Sequence, residues 1–231
     1  MDFALDVDFC IDPEDYTREC GGVIFPNPNA PTGIYMPLAG IEKICSAQLS
    51  KCAVVIDEAY IAFGGESAVG LTKKYDNLLI VKTFSKGHAL AGMRVGYAVG
   101  QPRLIDGLNR IKNSFNSYVL DRLALAAAAA AVKDIEYYSV INKKVIDTRE
   151  RISAELKKLN FRVLPSTANM LFISHEKMNA AKLYEYLKDN GVLVRYFNLP
   201  RIDNFLRVSI GTDEEMDAFI NKVKEYQCLI K

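Results

Sequence analysis

Three short apolar runs constrain this chain most, because each ends abruptly in polar residues. Val23-Ile24-Phe25 leads into PNPNAPTG at 26–33. Val54-Val55-Ile56 leads into Asp57-Glu58-Ala59-Tyr60. Leu78-Leu79-Ile80-Val81 leads into Lys82-Thr83-Phe84-Ser85-Lys86. Continuous rather than alternating apolar runs predict strands buried on both faces of a sheet. Helical spacing lies between them: after Pro37, residues Leu38, Ile41, Ile44 and Cys45 recur on one face. Strands alternating with helices predict an α/β fold with a mainly parallel sheet and helices on both faces. Such sheets bind ligands beyond the carboxyl ends of their strands, where the three polar clusters fall.

The second half has a different rhythm. Helices are expected over Pro102–Ser114, with Leu104, Leu108 and Ile111 on one face, and over the alanine-rich run Leu123–Val132, read as a buried helix. A long helix is expected over Ser139–Leu159, with others over Ala180–Asn190 and Asp213–Tyr226. Phe161–Leu164, Met170–Ile173, Val192–Val194 and Phe205–Val208 read as strands. Thr212 and Glu215 have the spacing of a capping box, and Gly191 suits a helix C-terminal stop. The expected organisation is a large ligand-binding domain over 1–139 and a small C-terminal α+β domain over 140–231.

Composition excludes several classes of function. The chain of 231 residues carries 29 Lys and Arg against 28 Asp and Glu, a net charge of +1. Nucleic-acid binding has no electrostatic footprint here. The longest apolar run, Leu123–Val132, is too short to span a bilayer. Five cysteines without a C-x-x-C pair, and two histidines, suggest neither a disulfide framework nor a metal site. They fit a reduced, cytoplasmic protein. The start MDFALDVDFC lacks the basic region of a secretory signal.

The chemistry is expected at the strand ends. Asp57, taken alone, reads as a capping aspartate; its functional reading is a partner for a cationic ligand group. Lys86 can form a Schiff base with a carbonyl at a sheet's ligand edge, or be a solvated loop lysine. Thr83, Ser85 and Arg94 cluster near it in sequence and suit a phosphate monoester, with Gly87 and Gly92 allowing tight backbone. An acid at one strand end and a lysine at the next match the protein's part in pyridoxal phosphate chemistry. Tyr60 is placed to reach the ring's phenolic oxygen, or to be an ordinary buried tyrosine.

The segments NPNAPTG (27–33), VVIDEAY (54–60), TFSKGHALAGMRVGY (83–97) and FLRVSIGT (205–212) resemble those of class I/II aminotransferases. These belong to fold type I of the pyridoxal-phosphate enzymes, and the histidinol-phosphate aminotransferase branch is the nearest match. The resemblance implies Lys86 as Schiff-base lysine and proton shuttle, Asp57 on the pyridine nitrogen, and Tyr60 on the phenolic oxygen. It implies Thr83, Ser85 and Arg94 on the phosphate. Arg207 would grip a substrate carboxylate by a bidentate fork that lysine could not copy. Arg195 would face the substrate's far end, and Asn169 would position the carboxylate beside Arg207. Family members often carry asparagine at the place of Ala30; here Asn29 stands one residue earlier and is the candidate ring contact.

The same resemblance implies an amino donor and a keto acid as substrates, and a homodimer with shared sites. It also implies that the chain lacks the first third of its relatives. That portion supplies a glycine-containing phosphate turn, a ring-stacking aromatic, a tyrosine for the partner's site and further sheet strands. Two alternatives follow: a threonine-phosphate decarboxylase-like enzyme on the same scaffold, and a catalytically incompetent truncated homologue.

Overall fold

A computed structural model describes residues 3–230. The chain divides into two compact units, one of residues 1–29 and 35–140, the other of residues 30–34 and 141–231.

In the first unit, strands β1 (Val23–Pro26), β2 (Val54–Asp57), β3 (Leu78–Thr83) and β4 (Gly96–Gly100) lie side by side in that order. The first three are parallel, with Val23 opposite Val54 and Val54 opposite Leu78. β4 returns antiparallel to β3, with Thr83 opposite Gly96. Helix α1 (Leu38–Ala47) buries Ile41, Ile44 and Cys45. These pack in one core with Val23, Phe25, Val54, Ile56, Leu78 and Ile80 from alternate positions of three strands. The fold is therefore α/β around a mainly parallel sheet.

Expectation and structure part at β1. Burial on both faces holds at β3, where Leu79 is 5% exposed, but Ile24 of β1 is 74% exposed. Among the described residues, one strand flanks β1 and no helix covers the face that carries Ile24. Helix α2 (Pro102–Phe115) has the expected period, yet buries no residue, and Ile111 is 61% exposed. The alanine-rich helix α3 (Arg122–Lys133) is buried only along Ala124, Ala128 and Ala131; Leu123, expected inside, is 77% exposed. The three alanines meet Phe84 and Val95, and their small side chains permit that approach.

Helix α4 (Ile135–Lys158) starts earlier than expected, separated from α3 by Asp134 alone. The aromatic pair Tyr137 and Tyr138 occupies its first turn, and Tyr138 rests on His88. An apolar count from Ile141 misses this turn.

The second unit has a sheet of order β5-β6-β8-β7: β5 (Arg162–Val163), β6 (Met170–Ser174), β7 (Arg195–Tyr196) and β8 (Phe205–Ser209), all antiparallel. Helices α4, α5 (Ala180–Asp189) and α6 (Asp213–Leu229) pack on one face through Ile152, Leu156, Leu183, Leu187, Phe219 and Val223 against Leu171, Ile173, Leu206 and Val208. The expected strand Val192–Val194 is displaced to β7. Gly191 takes φ +78° and Val192 donates back to Leu187 O at 2.9 Å, so these residues finish α5 before pairing begins at Arg195. The capping box of α6 forms: Glu215 N donates to Thr212 Oγ1 at 3.3 Å and Thr212 N to Glu215 Oε2 at 2.8 Å.

Candidate active site

In the first unit, the parallel register brings the carboxyl ends of β2 and β3 together, since Asp57 lies opposite Val81. Asp57 caps its own turn, with Oδ1 accepting from Ala59 N at 2.9 Å. This bond orients the carboxylate and leaves its other oxygen for a ligand. Tyr60 follows three residues on. The Lys86 ammonium sits 5.6 Å from the Tyr60 ring centre, joining the ends of two strands.

The β3–β4 hairpin gathers the hydroxyls. Thr83 Oγ1 donates to Ser85 Oγ at 2.9 Å and accepts from Ser85 N at 3.0 Å. Phe84 N donates to Val95 O at 3.1 Å, which carries Arg94 to the same turn as Ser85. Arg94 Nη1 donates to Ala91 O at 3.0 Å. The tight backbone expected at Gly87 and Gly92 belongs elsewhere: Ala89 (φ +52°) and Arg94 (φ +55°) adopt the left-handed conformation. A non-glycine residue held there is sustained by its surroundings, as at binding turns.

Asn29 follows β1, whose extension is tied across when Asn27 N donates to Asp57 O at 2.8 Å. Asn29 is buried and borders a cavity of about 560 Å³ with Tyr16, Arg18 and Cys20.

Beneath these residues lies a group that the motif reading passed over. The Glu58 side chain is wholly buried, with Oε2 at 3.1 Å from Lys82 Nζ. Ser67 Oγ and Ala68 N donate to its two oxygens, at 2.5 and 2.6 Å. An acid directly after Asp57 and a lysine directly before Thr83 were the available signal.

In the second unit, Arg195 and Arg207 are register partners on β7 and β8. Their guanidinium carbons lie 5.5 and 5.8 Å from the Phe197 ring centre. Arg207 Nε is buried and bonds to no protein group. Two cations on one ring, with a donor unspent, suit an anionic ligand group. Asn169 is placed by its own backbone, its carbonyl accepting from Ile210 N at 2.9 Å. The preceding Ala168 is held by the buried Arg149, whose Nη1 donates to Ala168 O at 2.8 Å. Phe197 and Arg149 lie outside the recognised motifs, and nothing in their local sequence marks them.

No group of three or more His, Cys, Asp or Glu able to hold a metal occurs among the described residues. No helix there is long and apolar enough to cross a membrane.

An amine, a carboxylate and a phenol at adjacent strand ends, with hydroxyls and a guanidinium in the next turn, belong to a known family. The family model Aminotransferase class I and II matches residues 2–223, and the chain belongs to that family. Among curated relatives, the histidinol-phosphate aminotransferase of Clostridium acetobutylicum is 55% identical over 221 residues, covering 96% of this chain and 62% of that protein. The chain thus spans about three fifths of the length of the curated relatives it matches. The solved histidinol-phosphate aminotransferase of Sinorhizobium meliloti, in complex with pyridoxal-5'-phosphate, is 25% identical with a TM-score of 0.82. The match covers 95% of this chain and 60% of that one. A decarboxylase from Sulfurospirillum multivorans is 26% identical with a TM-score of 0.84, over 97% of this chain and 68% of that one.

The donor set of the first unit fits pyridoxal phosphate. Lys86 would offer an amine to its aldehyde, Asp57 a carboxylate to its ring nitrogen, and Tyr60 a phenol. Thr83, Ser85 and Arg94 would offer donors for its phosphate.

Proposed function

We propose that this chain carries the catalytic residues of a pyridoxal-phosphate-dependent aminotransferase of the histidinol-phosphate type. The reading takes an amino compound such as histidinol phosphate as donor and 2-oxoglutarate as acceptor. The observation that carries it is Lys86 over Tyr60 beside the Asp57 strand end, in a chain 55% identical to a histidinol-phosphate aminotransferase. Bound pyridoxal phosphate supplies an aldehyde for amine exchange and a ring that accepts electrons. Asp57 holds the proton on the ring nitrogen, Tyr60 hydrogen-bonds the ring oxygen, and Lys86 carries the substrate's α-proton. Asn29 is a further ring contact. Arg207 takes a substrate carboxylate through its fork, Asn169 positions it, and Arg195 takes the far end of the donor. The reading includes a large domain over 1–139, a small domain over 140–231, a homodimer, and a cytoplasmic setting.

The test is cofactor capture. The purified chain is mixed with pyridoxal phosphate, its visible spectrum recorded, and the complex reduced with borohydride and mapped. Label on Lys86, absent in Lys86→Ala, is expected; label scattered over surface lysines overturns the reading. Glutamate formation from 2-oxoglutarate and histidinol phosphate then tests the substrate pair.

The similarity to a decarboxylase supports a second reading, in which the same lysine and aspartate serve decarboxylation of a phosphorylated amino acid. Carbon dioxide release without any keto acid separates the two.

A further inference from the structure

Cys20 and Cys52 meet at the end of the sheet opposite the candidate active site. Cys20 precedes β1 and Cys52 precedes β2, and the two strands begin in register at Val23 and Val54. The pairing continues outward, with Val23 N donating to Ala53 O at 3.0 Å. The two sulfurs are 3.8 Å apart, across 32 residues of chain. Cys20 and Cys52 thus lie on the approaches to two neighbouring strands, which run about 4.8 Å apart.

The backbone on both sides is held in place. Gln48 is wholly buried, and its Nε2 donates to Tyr16 O and Arg18 O, both at 2.6 Å. Its Oε1 accepts from Cys52 Sγ at 3.4 Å. One side chain thus clamps the segment leading to Cys20 onto the turn that carries Cys52.

We propose that Cys20 and Cys52 form a modification site, a dithiol that closes reversibly to an intramolecular disulfide with a low-molecular-weight disulfide as oxidant. The exposed Cys20 reacts first. Its thiolate attacks one sulfur of the small disulfide, that S–S bond breaks, and a small thiolate leaves. The Cys52 thiolate then attacks Cys20 Sγ and displaces the second small thiolate. Two protein thiols are oxidised, the small disulfide is reduced to two thiols, and the two protein protons pass to the departing thiolates. Burial raises the Cys52 thiol, which leaves the first attack to Cys20, and the 3.8 Å contact then favours the second, intramolecular one. Cys45 is wholly buried and pushed up to about 12, so it stays out of the exchange.

The test titrates the full chain with oxidised glutathione and maps the products by mass. Expected are an intact mass lower by two hydrogens, a peptide pair joined through Cys20 and Cys52, and reversal by dithiothreitol. The oxidised chain should melt roughly 5–10 °C higher, from the loop that the bond closes. Cys52→Ser should hold a persistent glutathione adduct on Cys20, and Cys228→Ser should behave as the parent. A persistent adduct on Cys20 in the parent chain overturns the proposal. So does an internal disulfide joining any other pair, or no internal disulfide.

Discussion

Glu58 Oε2 lies 3.1 Å from Lys82 Nζ, linking β2 to β3 directly below the strand-end residues. The carboxylate is wholly buried and Lys82 is 19% exposed, so this pair is shielded far more than a surface ion pair. Glu58→Ala leaves the Lys82 ammonium without its ion-pair partner, and the Ser67 hydroxyl and the Ala68 amide without their acceptor. A loss of about 2–4 kcal/mol is expected in chemical denaturation. An unchanged midpoint would show that water replaces the carboxylate.

Gly33 takes φ +79°, and a Cβ built there lies 2.3 Å from Ser166 Oγ. Ser166 cannot yield freely, because its Oγ donates to Met170 O at 2.6 Å and accepts from Ala168 N at 3.1 Å. Gly33→Ala combines left-handed backbone with overpacking and is expected to cost about 2–4 kcal/mol. Differential scanning calorimetry of the variant checks this.

His88 packs between Phe84 and Tyr138, with ring centres 4.8 and 4.9 Å away. Burial, then the nearby Lys82 charge, holds its imidazole below the ordinary range. The unfolded chain therefore binds the proton more readily than the folded one. The stabilisation is complete above the unfolded value of about 6.5 and is lost as pH falls through the lower folded value. Melting temperature should drop on acidification through that window, and less so in His88→Phe. Identical pH profiles for the two proteins would remove His88 from the account.

Arg207 is assigned a substrate carboxylate, and its buried Nε is unspent. Arg207→Lys keeps the charge but loses the planar fork. A fall of roughly 10–100-fold in kcat/KM for the keto acid is expected, corresponding to about 1.5–3 kcal/mol for a charged hydrogen bond. Steady-state kinetics reads it, and a larger effect on kcat than on KM would place Arg207 in the chemical step instead.

The strands β1, β2 and β3 are legible in the sequence because each is an unbroken apolar run with a polar terminus. β4 is not, since Gly96-Tyr97-Ala98-Val99-Gly100 is glycine-bounded and takes its place from pairing with β3. The conjunction of Asp57, Tyr60 and Lys86 follows from parallel strand ends, which a motif can signal. The Glu58–Lys82 pair and the placement of Phe197 between two arginines depend on which strands become neighbours. The left-handed Ala89 was also hidden, because glycine is the residue that marks such a conformation and here glycine stands at 87 and 92 instead. Helix periodicity located α2 and alanine content located α3, but neither could say that Ile111 and Leu123 remain outside.

The strands of the first sheet lie in the order in which the chain delivers them. Each new strand docks on the one made just before it, and no pairing has to wait for a distant part of the chain. Each connection stays within about 30 residues of chain, and the entropy of closing it grows only slowly with its length. Among the described strands, the one bearing Asp57 can therefore pair with β1 before the segment bearing Lys86 has been synthesised.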